Sequence, residues 1–125
     1  MRLYLDTNVL VGFLKREERY SGDLILRALN CQYTLVISSW TIAELQRIGF
    51  SQESDTLLKF FMHHEKVVYV RHGESDCDAA RRITTTHFAD AMHYLLAKRS
   101  AEGIATWNLH DFPFTDIFVR TPKDL

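Results

Sequence analysis

Short apolar runs alternate with longer stretches in which apolar residues recur every three or four positions, and this alternation runs the length of the chain. Leu3-Tyr4-Leu5 reads as a first strand, and Tyr33 to Ile37, rich in β-branched residues, as a second. Val67 to Val70 gives a third, Ile104 to Trp107 a fourth after Gly103, and Ile117 to Val119 a short fifth expected at an edge. Asn8 to Arg16 has helical spacing, with Val9, Leu10, Phe13 and Leu14 on one stripe, closing in Lys15-Arg16-Glu17-Glu18. A second helix, starting at Ser21 or Gly22, carries Leu24, Ile25, Ala28 and Leu29. A third follows Ser38-Ser39 and runs to about Ile48, where Gly49 stops it. Ser54 to His64 forms a fourth, with Leu57, Leu58, Phe61 and Met62 in its stripe. Glu74 to Ile83 and Thr86 to Arg99 read as consecutive helices broken in the run Thr84-Thr85-Thr86.

Strands separated by one or two helices predict a mainly parallel sheet of four or five strands with helices on both faces, a three-layer α/β fold. Repeats, low-complexity segments and linkers are absent from the sequence, so residues 1–125 are expected to form a single domain. A chain of this length buries roughly two-thirds of the surface it exposes when unfolded.

The first strand stops on a carboxylate, Asp6, followed by Thr7 and Asn8 before the apolar pattern resumes. In open α/β sheets ligands bind outside the carboxyl ends of the strands, so Asp6 stands where chemistry is usually placed. A helix cap is the competing role for it. Three further acids follow strands in the same way: Glu44 in the helix after strand two, Asp90 early in the helix near Thr86, and Asp111 beyond strand four. Each has a structural alternative. Thr41-Ile42-Ala43-Glu44 fits a capping box. Asp90 suits a helix N-terminus and lies off the stripe of Phe88, Met92, Leu95 and Leu96. Asp111, near Pro113, also suits a loop.

Parallel strands all point their carboxyl ends one way, so acids scattered in sequence can converge. Two carboxylates about 4 Å apart repel by roughly 4 kcal/mol at an effective dielectric near 20. A cluster of three or four therefore takes up protons, with pKa values raised in the metal-free protein, or holds a cation. An all-oxygen donor set without cysteine suits Mg²⁺ or Mn²⁺ rather than zinc. Such a centre activates water and stabilises the attacking and leaving oxygens of a phosphodiester, with no side-chain nucleophile needed.

The charge of −1 carries no polyanion signal by itself. Setting aside those four of the 16 acids leaves 12 against 15 basic side chains, a surface balance of +3 that is compatible with nucleic acid. Cys31 and Cys77 have no metal-ligand spacing and read as a reduced pair, as expected in the cytoplasm. Neither a signal peptide nor a membrane span is legible.

Leu5-Asp6-Thr7-Asn8-Val9-Leu10, Ala43-Glu44-Leu45, Ala89-Asp90-Ala91-Met92-His93 and Thr106-Trp107-Asn108-Leu109-His110-Asp111-Phe112 resemble, in order and spacing, the four acidic motifs of PIN domains. The likeness covers essentially the whole chain. It implies a metal-dependent ribonuclease, and the small single-domain members look like VapC-type toxins of toxin–antitoxin pairs. An RNA substrate, a cognate antitoxin and a homodimer are then expected. Carried over by position, Asp6, Glu44 and Asp90 match the three central metal-binding acids. The fourth acid of many members falls where this chain has Asn108, and Asp111 is assigned its role. Thr7 and Asn8 match the polar residues that support the first acid. Ser38 or Ser39 either meets the metal shell or caps a helix, with capping the expected role. His93 is expected in packing rather than as a phosphate contact, and His63-His64 as a solvated pair. Lys15, Arg16, Arg47, Arg81, Arg82, Lys98 and Arg99 are candidates to track an RNA backbone, none singled out.

An aspartyl-phosphate hydrolase would need a second acid at Asn8, and a receiver domain a phosphorylated Asp where Val70-Arg71-His72 stands. The rival from another functional class is a non-catalytic PIN-like scaffold that holds RNA or protein without cutting.

Overall fold

In the computed structural model all residues except 18, 31 and 85 are described, so the readings of Glu18, Cys31 and Thr85 lie outside the described residues, as does that of the Leu29 side chain. The elements are β1 (Arg2–Leu5), α1 (Thr7–Leu14), α2 (Arg19–Leu29), β2 (Thr34–Ser38), α3 (Ser39–Arg47) and α4 (Ser51–Met62). They continue with β3 (Val67–Val70), α5 (Glu74–Ile83), α6 (Phe88–Ser100), β4 (Gly103–Ala105) and β5 (Phe118–Arg120), with short 3-10 turns at Leu109–Asp111 and Pro122–Asp124. All five strands are parallel, in the order β3-β2-β1-β4-β5, so β5 is at an edge as expected.

Alternation along each strand sorts the core into two halves, because successive side chains point to opposite faces. Leu3, Leu5, Leu35, Ile37 and Ala105 face one way and pack with Val9, Leu10, Leu24, Ile25, Ile42, Leu45, Leu57 and Phe61 from α1 to α4. Tyr4, Val36 and Ile104 face the other way and pack with Tyr94, Leu96 and Ala97 of α6. Helix α5 covers the outer side of α6 through Ala80, Ala91 and Met92. Strand β1 lies at the centre, and Leu3, Tyr4 and Leu5 are fully buried.

The chain builds β1, β2 and β3 outward on one side and then returns to place β4 on the other side of β1. The sheet therefore changes direction between β1 and β4, and this switch point opens a crevice at the carboxyl ends of those strands.

Several boundaries differ from the periodic reading, each for a local reason. Ser54 does not start α4; its hydroxyl donates to the Ser51 carbonyl at 2.9 Å inside a helix already begun. Helix α6 begins two residues later than expected because the Thr84 hydroxyl accepts from the backbone N–H groups of Thr86 and His87. Strand β4 ends at Ala105; the Thr106 N–H still donates to the Arg120 carbonyl at 3.0 Å, and at Trp107 a side chain takes over, Asn8 Oδ1 accepting from its N–H at 3.2 Å. Helix α2 starts earlier, at Arg19, whose side chain pairs with Asp23 one turn on. Gly49 ends the third helical segment with φ at +99°, a conformation that favours glycine.

Candidate functional site

Asp6 stands directly after β1, and Thr106 directly after β4. Backbone pairing of Leu5 with Ala105 sets the two side by side. The Thr106 hydroxyl donates to Asp6 Oδ2 at 2.7 Å, and the Thr7 N–H donates to Oδ1 at 2.7 Å. Asp6 is thus the N-cap of α1 and a member of the cleft at once, so the two roles weighed for it coexist. Asn8 fixes the same corner from α1: its amide nitrogen donates to Thr106 Oγ1 at 3.3 Å while its oxygen accepts from Trp107. The Trp107 indole donates to Ser21 Oγ at 3.0 Å and ties the loop after β4 to α2.

Glu44 does not cap its helix. The N-cap of α3 is Ser38, whose hydroxyl accepts from the Thr41 N–H at 3.1 Å, and Glu44 lies in the helix body. That sets aside the capping box at Thr41 and gives Ser38 the capping role expected of that pair. The Glu44 carboxylate instead accepts from the Thr7 hydroxyl at 2.6 Å and from His93 Nε2 at 2.5 Å. Burial raises the Glu44 pKa, but His93, Thr7 and the Arg47 guanidinium outweigh it and hold the carboxyl below the usual glutamate range.

Asp90 lies in the first turn of α6, with its side chain partly exposed and 4.0 Å from His87 Nδ1. Partial burial and the charges of Asp111 and Asp6 push its carboxyl above the ordinary aspartate range, against the opposing pull of His93 and His87. Asp111 closes the 3-10 turn after β4, its N–H bonded to the Asn108 carbonyl. Asn108 is tied by its N–H to Thr106 Oγ1 at 3.0 Å. All seven positions singled out in the sequence, Asp6, Thr7, Asn8, Glu44, Asp90, Asn108 and Asp111, line one open cleft at the carboxyl edge of the sheet. The expectation that the crowded acids carry raised pKa values is met at Asp90 and fails at Glu44, where His93 and Thr7 supply compensation.

His93 has a role that helix periodicity did not assign. It is buried, as packing requires, yet its two ring nitrogens join the core to the cleft. Nδ1 lies 2.7 Å from the Tyr4 hydroxyl, which also lies 2.7 Å from Ser38 Oγ. Nε2 meets Glu44 and stands 3.5 Å from Asp6 Oδ1. Burial pushes the Tyr4 phenol far above its ordinary pKa, so it stays a neutral hydrogen-bonding group. The available signal was spacing: His93 is one helical turn past Asp90, so both share a face of α6. Thr106 was legible as the residue in register with Asp6 only once β4 was known to pair with β1. Of the candidate basic residues, Lys98, Arg99 and Arg81 are engaged by Asp116, Asp76 and Asp78 respectively, and Arg47 lies over the Trp40 ring.

The cleft offers carboxylate, hydroxyl and amide oxygens and no thiolate, a donor set suited to a hard divalent cation. The raising of the Asp90 carboxyl by burial and by the charges of Asp111 and Asp6 is the strain such a cation relieves. As the side chains stand, no group of three or more His, Cys, Asp or Glu among the described residues is gathered closely enough to enclose an ion. The residues fit the group by chemistry and by shared cleft, with Glu44 and Asp6 held by hydrogen bonds instead.

A parallel five-stranded sheet in this order, helices on both faces and acids from four segments at the switch point define a PIN-like fold. The PIN domain family model matches residues 3–110, and the chain belongs to the PIN domain family. Members of that family are typically nucleases and generally use divalent metal ions. The fold is similar to VapBC2 from Rickettsia felis, bound to a DNA fragment from its promoter, with a TM-score of 0.68 and 18% identity over 97% of this chain and 98% of that one. It is also similar to FitAB bound to an IR36 DNA fragment, with a TM-score of 0.63 and 20% identity over 96% of this chain and 94% of that one. No curated protein matches the chain in sequence. Among the described residues no helix is long and apolar enough to cross a membrane.

Proposed function

We propose that this protein, residues 1–125 acting as one domain, is a Mg²⁺- or Mn²⁺-dependent endoribonuclease and the toxin of a toxin–antitoxin pair. The observation that carries the reading is the convergence of Asp6, Glu44, Asp90 and Asp111, from four separate segments, on one cleft at the sheet's switch point. Two of the solved structures that share this fold, VapBC2 and FitAB, are toxin–antitoxin complexes bound to DNA, which supports an antitoxin partner for this chain. A homodimer and a cytoplasmic location complete the proposal.

Asp6, Asp90, Glu44 and Asp111 would hold the cation. When bound, a divalent ion supplies an activated water and offsets charge at the phosphate and departing oxygen. The chain's own groups do the rest. Thr106 and the Thr7 N–H fix both oxygens of Asp6. Thr7 and His93 aim Glu44, and Asn8 and Asn108 converge on Thr106. In hydrolysis a water oxygen bonds to phosphorus, the P–O3′ bond breaks, and a proton goes to O3′. The products are therefore a 5′-phosphate and a 3′-hydroxyl.

The test is cleavage of an RNA pool with end-group analysis. Loss of cleavage in excess EDTA and in Asp90→Ala, with 5′-phosphate products, is the expected result. Asp111→Ala should weaken cleavage less than Asp90→Ala if Asn108 shares the fourth position. Cleavage that persists without divalent ions, or 2′,3′-cyclic phosphate products, would overturn the mechanism.

The second reading, a non-catalytic scaffold, draws on the hydrogen bonds that already occupy Asp6 and Glu44. Thermal stabilisation by Mn²⁺ without cleavage of any RNA would favour it.

A further inference from the structure

We propose that a second cavity, beside the acidic cleft, is a base-binding subsite that takes the nucleobase of a nucleotide flanking the bound phosphate. The inference rests on the reading of the acidic cleft as a phosphodiester site. The cavity has a volume of about 300 Å³, at the lower end of small-ligand pockets. It shares Asp90 and Asp111 with the acidic cleft. A strand whose phosphate sits among the acids therefore has this space for its neighbouring base.

The walls suit a flat ring with polar edges. Ile83, Ala91, Pro113 and Phe114 supply apolar surface, while His87 and His110 stand at the same cavity as exposed hydrogen-bonding groups. Ile83, at the carboxyl end of α5, is 45% exposed although it is a large apolar residue. Phe114 is held in place from behind: its ring stacks on Tyr94 with centroids 3.7 Å apart and planes 13° from parallel. The Tyr94 hydroxyl in turn donates to Asp116, which also pairs with Lys98 at 2.8 Å. A pre-set aromatic surface accepts a base with little ordering cost, and base–aromatic stacking tolerates many sequences. No lysine or arginine is among the described residues lining the cavity, so nothing there pairs with a second phosphate, and an uncharged ring is the matching occupant.

Two measurements test this on the full chain. The first is binding of the four nucleoside 5′-monophosphates against ribose 5-phosphate in Mg²⁺, which is diamagnetic, read by NMR shifts at Ile83, His87 and His110. At least one monophosphate should bind roughly 10-fold or more tighter than ribose 5-phosphate, within the range expected of base stacking. Ile83→Ala and Phe114→Leu should remove most of that advantage; Phe114→Leu keeps the apolar volume and loses the flat ring. The second is sequencing of cut sites in a random RNA pool, where both variants should flatten the base bias at one position flanking the cut. Equal binding of all five compounds, or an unchanged bias in cleaving variants, would overturn the subsite and leave the nuclease reading standing. Base-dependent binding at this cavity by a protein that cuts no RNA would overturn the nuclease reading and leave the subsite.

Discussion

The Tyr4 hydroxyl lies 2.7 Å from His93 Nδ1, and the far nitrogen of the same ring reaches Glu44. A residue at the centre of the sheet therefore supports a carboxylate at its edge through one imidazole. With Nε2 carrying its proton toward Glu44, Nδ1 accepts from Tyr4 and Tyr4 accepts from Ser38, so every polar atom in the chain of contacts is satisfied.

Tyr4→Phe keeps the ring and removes the hydroxyl, leaving His93 Nδ1 without its buried partner. A loss of about 1 to 3 kcal/mol in urea unfolding is expected, the usual cost of an unsatisfied buried polar group. Cleavage should fall with it, because Glu44 loses its fixed support. Unfolding unchanged within about 0.5 kcal/mol, less than the net worth of one ordinary hydrogen bond, would remove Tyr4 from the support of the site.

Asp6→Asn is expected to destabilise the metal-free protein, although relief of repulsion alone would stabilise it. Thr106 Oγ1 already accepts from Asn8 and from the Asn108 N–H, so its own hydrogen must go to Asp6. An amide nitrogen turned toward Thr106 would set donor against donor. An amide oxygen turned there would take the cap from Thr7. The expected cost is about 1 to 3 kcal/mol by chemical denaturation, and an equal or more stable variant would show that repulsion dominates.

Asp90 and Glu44 should shift the pH dependence of stability in opposite directions in EDTA. The folded pKa of Asp90 is raised, so its ionisation costs stability as pH rises through that value. Asp90→Asn is therefore expected to melt higher than the parent at pH 7, with the gain vanishing below the ordinary aspartate range near about pH 4. The folded pKa of Glu44 is lowered, so it contributes stability above the ordinary glutamate range that is lost as pH falls through the folded value. Glu44→Gln should melt lower at pH 7 and converge with the parent in acid. Melting curves at several pH values check both signs, and a shared direction would refute the opposed environments.

Gly103→Ala tests the packing of the last two strands. A Cβ built at Gly103 would lie 2.2 Å from the Phe118 ring, so the ring must move or β4 and β5 must part. Overpacking of this kind costs about 1 to 3 kcal/mol. Phe118→Leu in the same chain should recover part of the loss, and a neutral Gly103→Ala would show that the ring moves freely.

Much of this protein was legible in its sequence because the signals are local. Three apolar residues ending on Asp6 mark β1 whatever surrounds them, and helical spacing marks Glu74 to Ile83 to the residue. Parallel strands then imply a common edge, which is why Asp6, Glu44, Asp90 and Asp111 were legible as candidates for one cleft. What tertiary structure alone decided is which of them touch what. Asp6 and Thr106 are 100 residues apart, and only the placement of β4 beside β1 brings them together. Periodicity sorts side chains into inward and outward faces and carries no information about partners on other elements. His93 therefore read as packing, Glu44 fitted a cap as well as a cleft, and Asp6 had two roles that seemed exclusive. The strand order β3-β2-β1-β4-β5 set the switch point beside Asp6, and the hydrogen bonds that only close packing permits gave His93 and Thr106 their positions.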